Sequence, residues 1–221
     1  MKVLIFDTET TGLPKTHEPA INARDNWPHI VSISWVILDT ATNKILSKKS
    51  FVVKPNNWTI PEESIKIHKI TNKNATEFGH PLSTVIDAFF QEDCHTIVAH
   101  NANFDYNVLV NAIKWDLGID PIVVEKTVLC TMKLSKGLCK IPFENGRGYK
   151  SPKLSELYEF VFNRKPISGC LHDSLYDTII LTEIVQHCDP LRKAMGLPIR
   201  PVKHVTNGVH TESSKTLILR L

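Results

Sequence analysis

Apolar positions along this chain follow two rhythms, one of period two and one near 3.6. Val3-Leu4-Ile5-Phe6 is a continuous apolar run with two β-branched members, which predicts a buried strand opening the protein. Lys15–Pro28 is polar, carries Pro19 and Pro28, and predicts a loop. His29–Asp39 (HIVSISWVILD) alternates and is rich in β-formers, a second strand. Thr40–Asn43 turns the chain and Ile45–Lys54 gives a third, so the three form an antiparallel meander. The rhythm then lengthens. Pro61-Glu62-Glu63-Ser64 has the proline and acids of a helix start, followed by Ile65, Ile67 and Ile70 around His68, and Thr71–Asn74 reads as a break. Leu82, Val85, Ile86 and Phe89 share one helical face within Pro81–Phe90. Thr96–Ala99 is a short fourth strand. Val108, Leu109, Ala112 and Ile113 stripe a helix over Asn103–Trp115, and Leu181, Ile184 and Cys188 stripe a final one.

The carboxylates that break these apolar patterns carry the chemistry. Asp7 and Glu9 continue the first strand, and alternation puts both side chains on one face. Two neighbouring carboxylates at the end of a buried strand repel, and burial raises the cost of charging either one. A divalent cation removes both penalties. On its own, Asp-x-Glu fits a solvated strand end better than a metal site. Asp105, however, points with the apolar stripe of its helix, and Asp177 is in phase with Leu181, Ile184 and Cys188. An inward carboxylate needs a partner. One could be a satisfied core acid; two of them beside the Asp7/Glu9 pair make a shared cation the simpler account. His172 lies five residues before Asp177, about 140° around an ideal helix, so the two share no helical face. Asp173 or Ser174 is a good N-cap, which leaves His172 on the preceding loop. A loop histidine with an ordinary pKa near ~6.5 can take a proton from water at neutral pH, although a lone one is more often plain surface.

Composition narrows the setting. The 221 residues suit one domain with a real core, and 42% hydrophobic with 22% charged residues fits a soluble protein. Val3–Phe6 is too short for a signal-peptide core, and no stretch approaches a membrane span. Five cysteines without a CxxC pair favour a reduced, intracellular setting without structural zinc. The net charge of +3 says little, but Lys126–Lys165 holds nine Lys/Arg against three acids, and the chain from Asp189 onward six against two. Such basic stretches fit a phosphate-rich polymer and serve solubility equally well.

Three segments now align with a known pattern. Phe6-Asp7-Thr8-Glu9-Thr10-Thr11-Gly12, Ala99-His100-Asn101-Ala102-Asn103-Phe104-Asp105 and His172-Asp173-Ser174-Leu175-Tyr176-Asp177 resemble, in order and separation, the three motifs of the DnaQ-like (DEDDh) 3′–5′ exonucleases. Ile60–Thr71 and Pro152–Tyr158 resemble the family's flanking stretches. The resemblance covers residues 1 to about 188 and is closest to proofreading, epsilon-type exonuclease domains. It implies an α/β, RNase H-like fold with a mixed five-stranded sheet, an exonuclease domain over 1–188 and a basic extension over 189–221. It implies that Asp7, Glu9, Asp105 and Asp177 hold two Mg²⁺ or Mn²⁺ ions, with His172 as general base, and that nucleoside 5′-monophosphates leave from a 3′ end. Family positions holding the terminal nucleotide fall on Thr10, Leu13, Ile67, His68 and Phe104, with Asn101 orienting Asp105 or touching substrate; Phe104 and Ile67 fit a plain core as well. The implied partner is single-stranded or 3′-frayed nucleic acid, DNA favoured over RNA, with a polymerase in trans for any proofreading role.

Two features depart from the pattern. Ser174 stands where the family usually has alanine, a change compatible with an N-cap. Lys133–Lys153, with six basic residues and one acid, is longer than a minimal member needs; it is either a grip on the nucleic-acid backbone or a surface loop. Beyond it, Thr216–Leu221 reads as an apolar, strand-like end.

Overall fold

The computed structural model describes residues 1–120 and 126–199. Strands β1 (Lys2–Thr10), β2 (Ile30–Asp39), β3 (Lys44–Val52), β4 (Thr96–Ala99) and β5 (Thr127–Cys130) make one sheet in the order β3-β2-β1-β4-β5. The β1–β2 and β2–β3 pairs are antiparallel, the second joined by the short Thr40–Asn43 turn, whereas β1–β4 and β4–β5 are parallel, with helices on the chain leading from β3 into β4 and on the chain from β4 to β5. The sheet is therefore mixed and five-stranded. Helices α1 (Glu62–His68), α2 (Asn72–Phe78), α3 (Leu82–Phe90) and α4 (Ala102–Asn111) follow β3 and bracket β4. Helices α5 (Thr131–Cys139), α6 (Leu154–Phe162), α7 (Ser174–His187) and α8 (Asp189–Ala194) complete the chain.

Strand β1 is central, and its alternation divides the core in two. Leu4 and Phe6 face a cluster with Trp35, Val85, Phe89 and Val108, which α3 and α4 cover. Val3 and Ile5 face a second cluster with Leu157, Leu181, Ile184 and Leu191, supplied by α6, α7 and α8. Aromatic edges lock the first cluster: the Phe89 ring stands edge-on to Phe6 and to Trp35, both with centroids 5.3 Å apart.

Several expectations needed correction. Strand β2 is buried on both faces. Its polar positions meet helix α7 instead of water: Ser34 Oγ lies 2.8 Å and Ser32 Oγ 3.0 Å from Ser174 Oγ, and Thr178 donates to Ser34 O. Small hydroxyl side chains on both elements satisfy one another there. Ser174 is thus an interface residue and Asp173 is the cap, its carboxylate accepting from Tyr176 N. The break expected at Thr71–Asn74 is the start of α2, because the Thr71 hydroxyl accepts from Asn74 N and caps a helix. The helix over Asn103–Trp115 is α-helical to Asn111 and then widens into a π-turn over Ala112–Asp116, with Leu117 N donating to Ala112 O. The stretch Lys133–Lys153 is no continuous loop, since α5 occupies its first part and Pro142 and Tyr149 pair across the rest.

The chain stays with the body past Cys188. Arg192 on α8 is fully buried and donates to Thr40 O, Asn43 Oδ1, Val185 O and Pro198 O. The apolar end expected at Thr216–Leu221 lies outside the described residues. Among the described residues no helix is long and apolar enough to cross a membrane.

Candidate active site

Side-chain alternation on β1 fixes the first half of the site. Asp7 and Glu9 share the face of Val3 and Ile5, toward α7, at the end of the strand where its parallel neighbour β4 also finishes. Thr8 points the other way, toward α4. There its hydroxyl donates to Asp105 Oδ1 at 2.8 Å and its backbone N–H to the same oxygen at 3.2 Å. Asp105 sits in the first turn of α4, only 3% exposed, so strand and helix are tied through this one carboxylate.

Helix α7 brings the other half. Asp177 lies in its first turn, and Asp177 Oδ2 accepts from the backbone N–H of His172 at 3.2 Å. That bond helps hold His172 in a left-handed conformation, φ 65°, which a β-carbon normally disfavours. Strain of this kind persists only where the surroundings over-determine it. The His172 side chain is exposed, and its ring lies with the Glu9 and Asp177 carboxylates so that one ligand atom from each falls within 4.8 Å of the others.

The electrostatics follow from crowding acids in a poorly solvated place. Burial, then Asp105, Asp177, Glu9 and Asp173, hold Asp7 well above the ordinary carboxylate range. Burial, reinforced by Asp177, Asp105 and Asp173, pushes Glu9 up to about 8. Burial takes Asp105 to about 7 against the two Thr8 hydrogen bonds, and Asp177 to about 6 against the His172 N–H. Asp177 Oδ1 is buried with no hydrogen-bond partner among the described residues. Four oxygen-donor side chains that cannot all ionise, one with an orphaned oxygen aimed inward, fit hard divalent cations. The residues present therefore suit the implied metals.

The other expected residues are spread around this cluster. Thr10 is buried and its hydroxyl donates to Gly12 O. Leu13, next along the turn, is 82% exposed. His68 ends α1, buried against the backbone of Thr10, with Nδ1 accepting from Ile70 N and Nε2 unpartnered among the described residues. Ile67 on the same helix is exposed. Asn101 opens α4 in a left-handed conformation, φ 73°, with an exposed side chain. Phe104 packs on the core beside Trp27, ring centroids 5.9 Å apart.

Sequence reasoning missed Thr8 and gave His100 no role. Thr8 was hidden because a threonine inside a β-rich run looks like ordinary strand filler. His100 is partly buried, and that burial pushes it down to about 4, so it is neutral at pH 7. Its Nε2 donates to Pro152 O and its Nδ1 meets Thr131 Oγ1, which joins β4 to α5 and to the approach of α6.

Comparison with known proteins gives a family and a fold. The RNase_T family model, described as Exonuclease, matches residues 4–185. No curated protein matches the chain. Among solved structures, Exonuclease X in complex with 5′ overhanging duplex DNA superposes with a TM-score of 0.59 at 24% identity, covering 89% of this chain and 95% of that one. E. coli Exonuclease I in complex with a dA16 oligonucleotide gives 0.63 at 17% identity, covering 87% of this chain. The match covers 40% of that Exonuclease I chain.

Proposed function

From the premise that this chain belongs to the RNase_T exonuclease family, the DnaQ-like 3′–5′ exonucleases, we propose that it removes nucleoside 5′-monophosphates from single-stranded or frayed 3′ ends, with DNA as the favoured polymer. The observation that carries the reading is the cluster of Asp7, Glu9, Asp105 and Asp177, all pushed toward protonation, beside a strained loop histidine. These four carboxylates would hold two divalent ions, Mg²⁺ or Mn²⁺. When bound, such ions supply an activated water and neutralise charge developing on the phosphate.

The chain's own residues do the rest. Thr8 fixes Asp105 from two donors, so that carboxylate presents its remaining lone pairs in one direction. The His172 ring, placed beside Glu9 and Asp177, takes the proton from the attacking water, and its position on a loop lets it follow the substrate. Its backbone N–H keeps Asp177 oriented while the ring acts. Thr10, Leu13, Ile67, His68, Asn101 and Phe104 form the surroundings of the terminal nucleotide, with exposed Leu13 and Ile67 offering apolar faces that any base can cover. The folded exonuclease domain runs from residue 1 through α8, with the remaining basic chain as an extension. The preference for DNA rests on the superposing Exonuclease X and Exonuclease I structures both being complexes with DNA. For proofreading, the chain would act with a polymerase in trans.

The test is a paired assay on 5′-labelled single-stranded DNA and RNA oligomers, with Mg²⁺ and with EDTA. A Mg²⁺-dependent ladder shortening from the 3′ end supports the reading, and the faster polymer sets the substrate class. Folded protein that cleaves neither would overturn it.

A further inference from the structure

Next to the carboxylate cluster, but outside it, the surface opens into a groove of about 930 Å³ that the reaction does not use. Its rim begins at Thr11, Gly12 and Leu13, the residues that follow Glu9 and Thr10 along the chain. The size falls within the ~300–1,000 Å³ of ordinary ligand sites. The groove is built. The loop forming one wall is fixed by Asn107 Oδ1 accepting from Ala20 N, by Trp27 Nε1 donating to Glu18 O and by Trp115 Nε1 donating to Ala20 O.

Its lining has a definite chemistry. Trp58 and His29 stack face to face, centroids 5.1 Å apart and planes 5° apart, and His29 Nδ1 meets Asp116 Oδ2 at 2.9 Å. Trp115 lines the same groove, with Lys114 5.0 Å and Arg24 5.9 Å from its ring centroid. Both Trp115 and Asp116 are carried by the π-turn, and π-turns recur at functional sites. Lys15, Arg24 and Lys54 line the same groove with exposed side chains, against two acids: Asp116, which is engaged with His29, and the exposed Asp25. Aromatic faces that any base can cover, interleaved with cations spaced along an open channel, make the standard platform for single-stranded nucleic acid.

We propose that this groove is a second subsite, holding unpaired nucleotides of single-stranded nucleic acid adjacent to the 3′ end, with bases on Trp58 and Trp115 and phosphates on Lys15, Arg24 and Lys54. The inference rests on the exonuclease reading for the placement of the 3′ end. It adds a length requirement: a strand that reaches only the carboxylates leaves the groove empty, whereas a longer one gains affinity from it.

The test separates binding from cleavage. Affinity for a fluorescein-labelled dT20 oligomer is followed by anisotropy in EDTA at several salt concentrations, for the wild type, for the Lys15→Glu/Arg24→Glu/Lys54→Glu triple variant and for Trp58→Ala. Because each phosphate contact on a single strand contributes about −0.7 to the slope of log K against log salt, the triple variant should flatten that slope by about 2. Trp58→Ala should weaken binding at least about fivefold with the slope unchanged. A control that reverses two charges elsewhere, Lys44→Glu/Lys48→Glu on the exposed edge strand β3, should keep the wild-type slope. In Mg²⁺, the triple variant should raise KM for the oligomer with kcat unmoved. A triple variant with the wild-type slope, or a control that loses as much, overturns the groove. If the wild type cleaves nothing while the groove variants still lose binding, the exonuclease reading falls and the groove stands. If the wild type cleaves and the groove variants match it in affinity and slope, the groove falls and the exonuclease reading stands.

Discussion

Glu9→Gln should produce a protein that is inactive and yet, in EDTA at pH 7, more stable than the wild type. In the metal-free fold Glu9 titrates at about 8 against an ordinary value of 4.5, because burial and the neighbouring Asp177, Asp105 and Asp173 disfavour its charge. The unfolded chain ionises this group above about pH 4.5, while the folded one holds its proton until about pH 8. The native state therefore binds more protons than the unfolded state across that window, and stability must fall as pH rises through it. Taken at face value, the disadvantage accumulated between pH 4.5 and pH 7 is about 3.4 kcal/mol, at about 1.36 kcal/mol per pH unit. Glu9 is only partly buried and titrates together with three other carboxylates, so about 1–2 kcal/mol is the realistic share. For a domain of this size that corresponds to about 2–8 °C in Tm. The neutral amide keeps the shape and removes the charge. Thermal melts in EDTA at pH 5, 6, 7 and 8 are the measurement: the variant's advantage should be small at pH 5 and grow toward pH 8. Adding Mn²⁺ should raise the wild-type Tm and move the variant less. An advantage that is absent at pH 7, or equal at pH 5 and pH 8, would refute the electrostatic account of the cluster.

His172→Ala should lower kcat at least ~100-fold with KM changed little, as expected for loss of a general base; a raised KM at unchanged kcat would mean that the ring binds and does not move the proton. Thr8→Val removes one of two donors to Asp105 Oδ1. The Mn²⁺ concentration for half-maximal activity should rise about tenfold, in the range that loss of a ligand's supporting hydrogen bond gives, and an unchanged value would detach Thr8 from metal binding. Arg192→Met leaves the buried Val185 and Thr40 carbonyls without this donor, a loss of about 2 kcal/mol or more, and should lower Tm by about 4 °C or more. An unaltered melt would show that α8 adds nothing to the body.

What could be read from the chain, and what could not, follows physical lines. Strands β1 to β4 and helix α3 declared themselves through runs and periods that a single element must satisfy alone. The four carboxylates were legible because charge at an apolar position needs an explanation that lies elsewhere in the sequence. Helix α2 was missed because the residue types that break a helix are those that cap one, and only the Thr71–Asn74 bond decides between them. The serines of β2 gave no sign of their role, since their partners, Ser174 and Thr178, lie some 140 residues away. Strand β5 is as short as β4 but lies at the sheet edge with Thr127 and Val128 exposed, so nothing in it marks a buried strand. The π-turn depends on packing around Trp115 and Asp116 that local sequence does not encode.

The four carboxylates run from Asp7 to Asp177, on the first strand and the penultimate described helix. Between them, β4 must reach β1 in parallel across some ninety residues, and Arg192 closes on Thr40 across 152 positions. Contacts of such separation form late, after the intervening chain has been ordered. A nascent chain of this protein can pair β1, β2 and β3 early, but it holds at most three of the four acids until α7 has been made. A fragment truncated before Asp177 should therefore be unable to cut nucleic acid, so the activity appears only once nearly the whole described chain has been made.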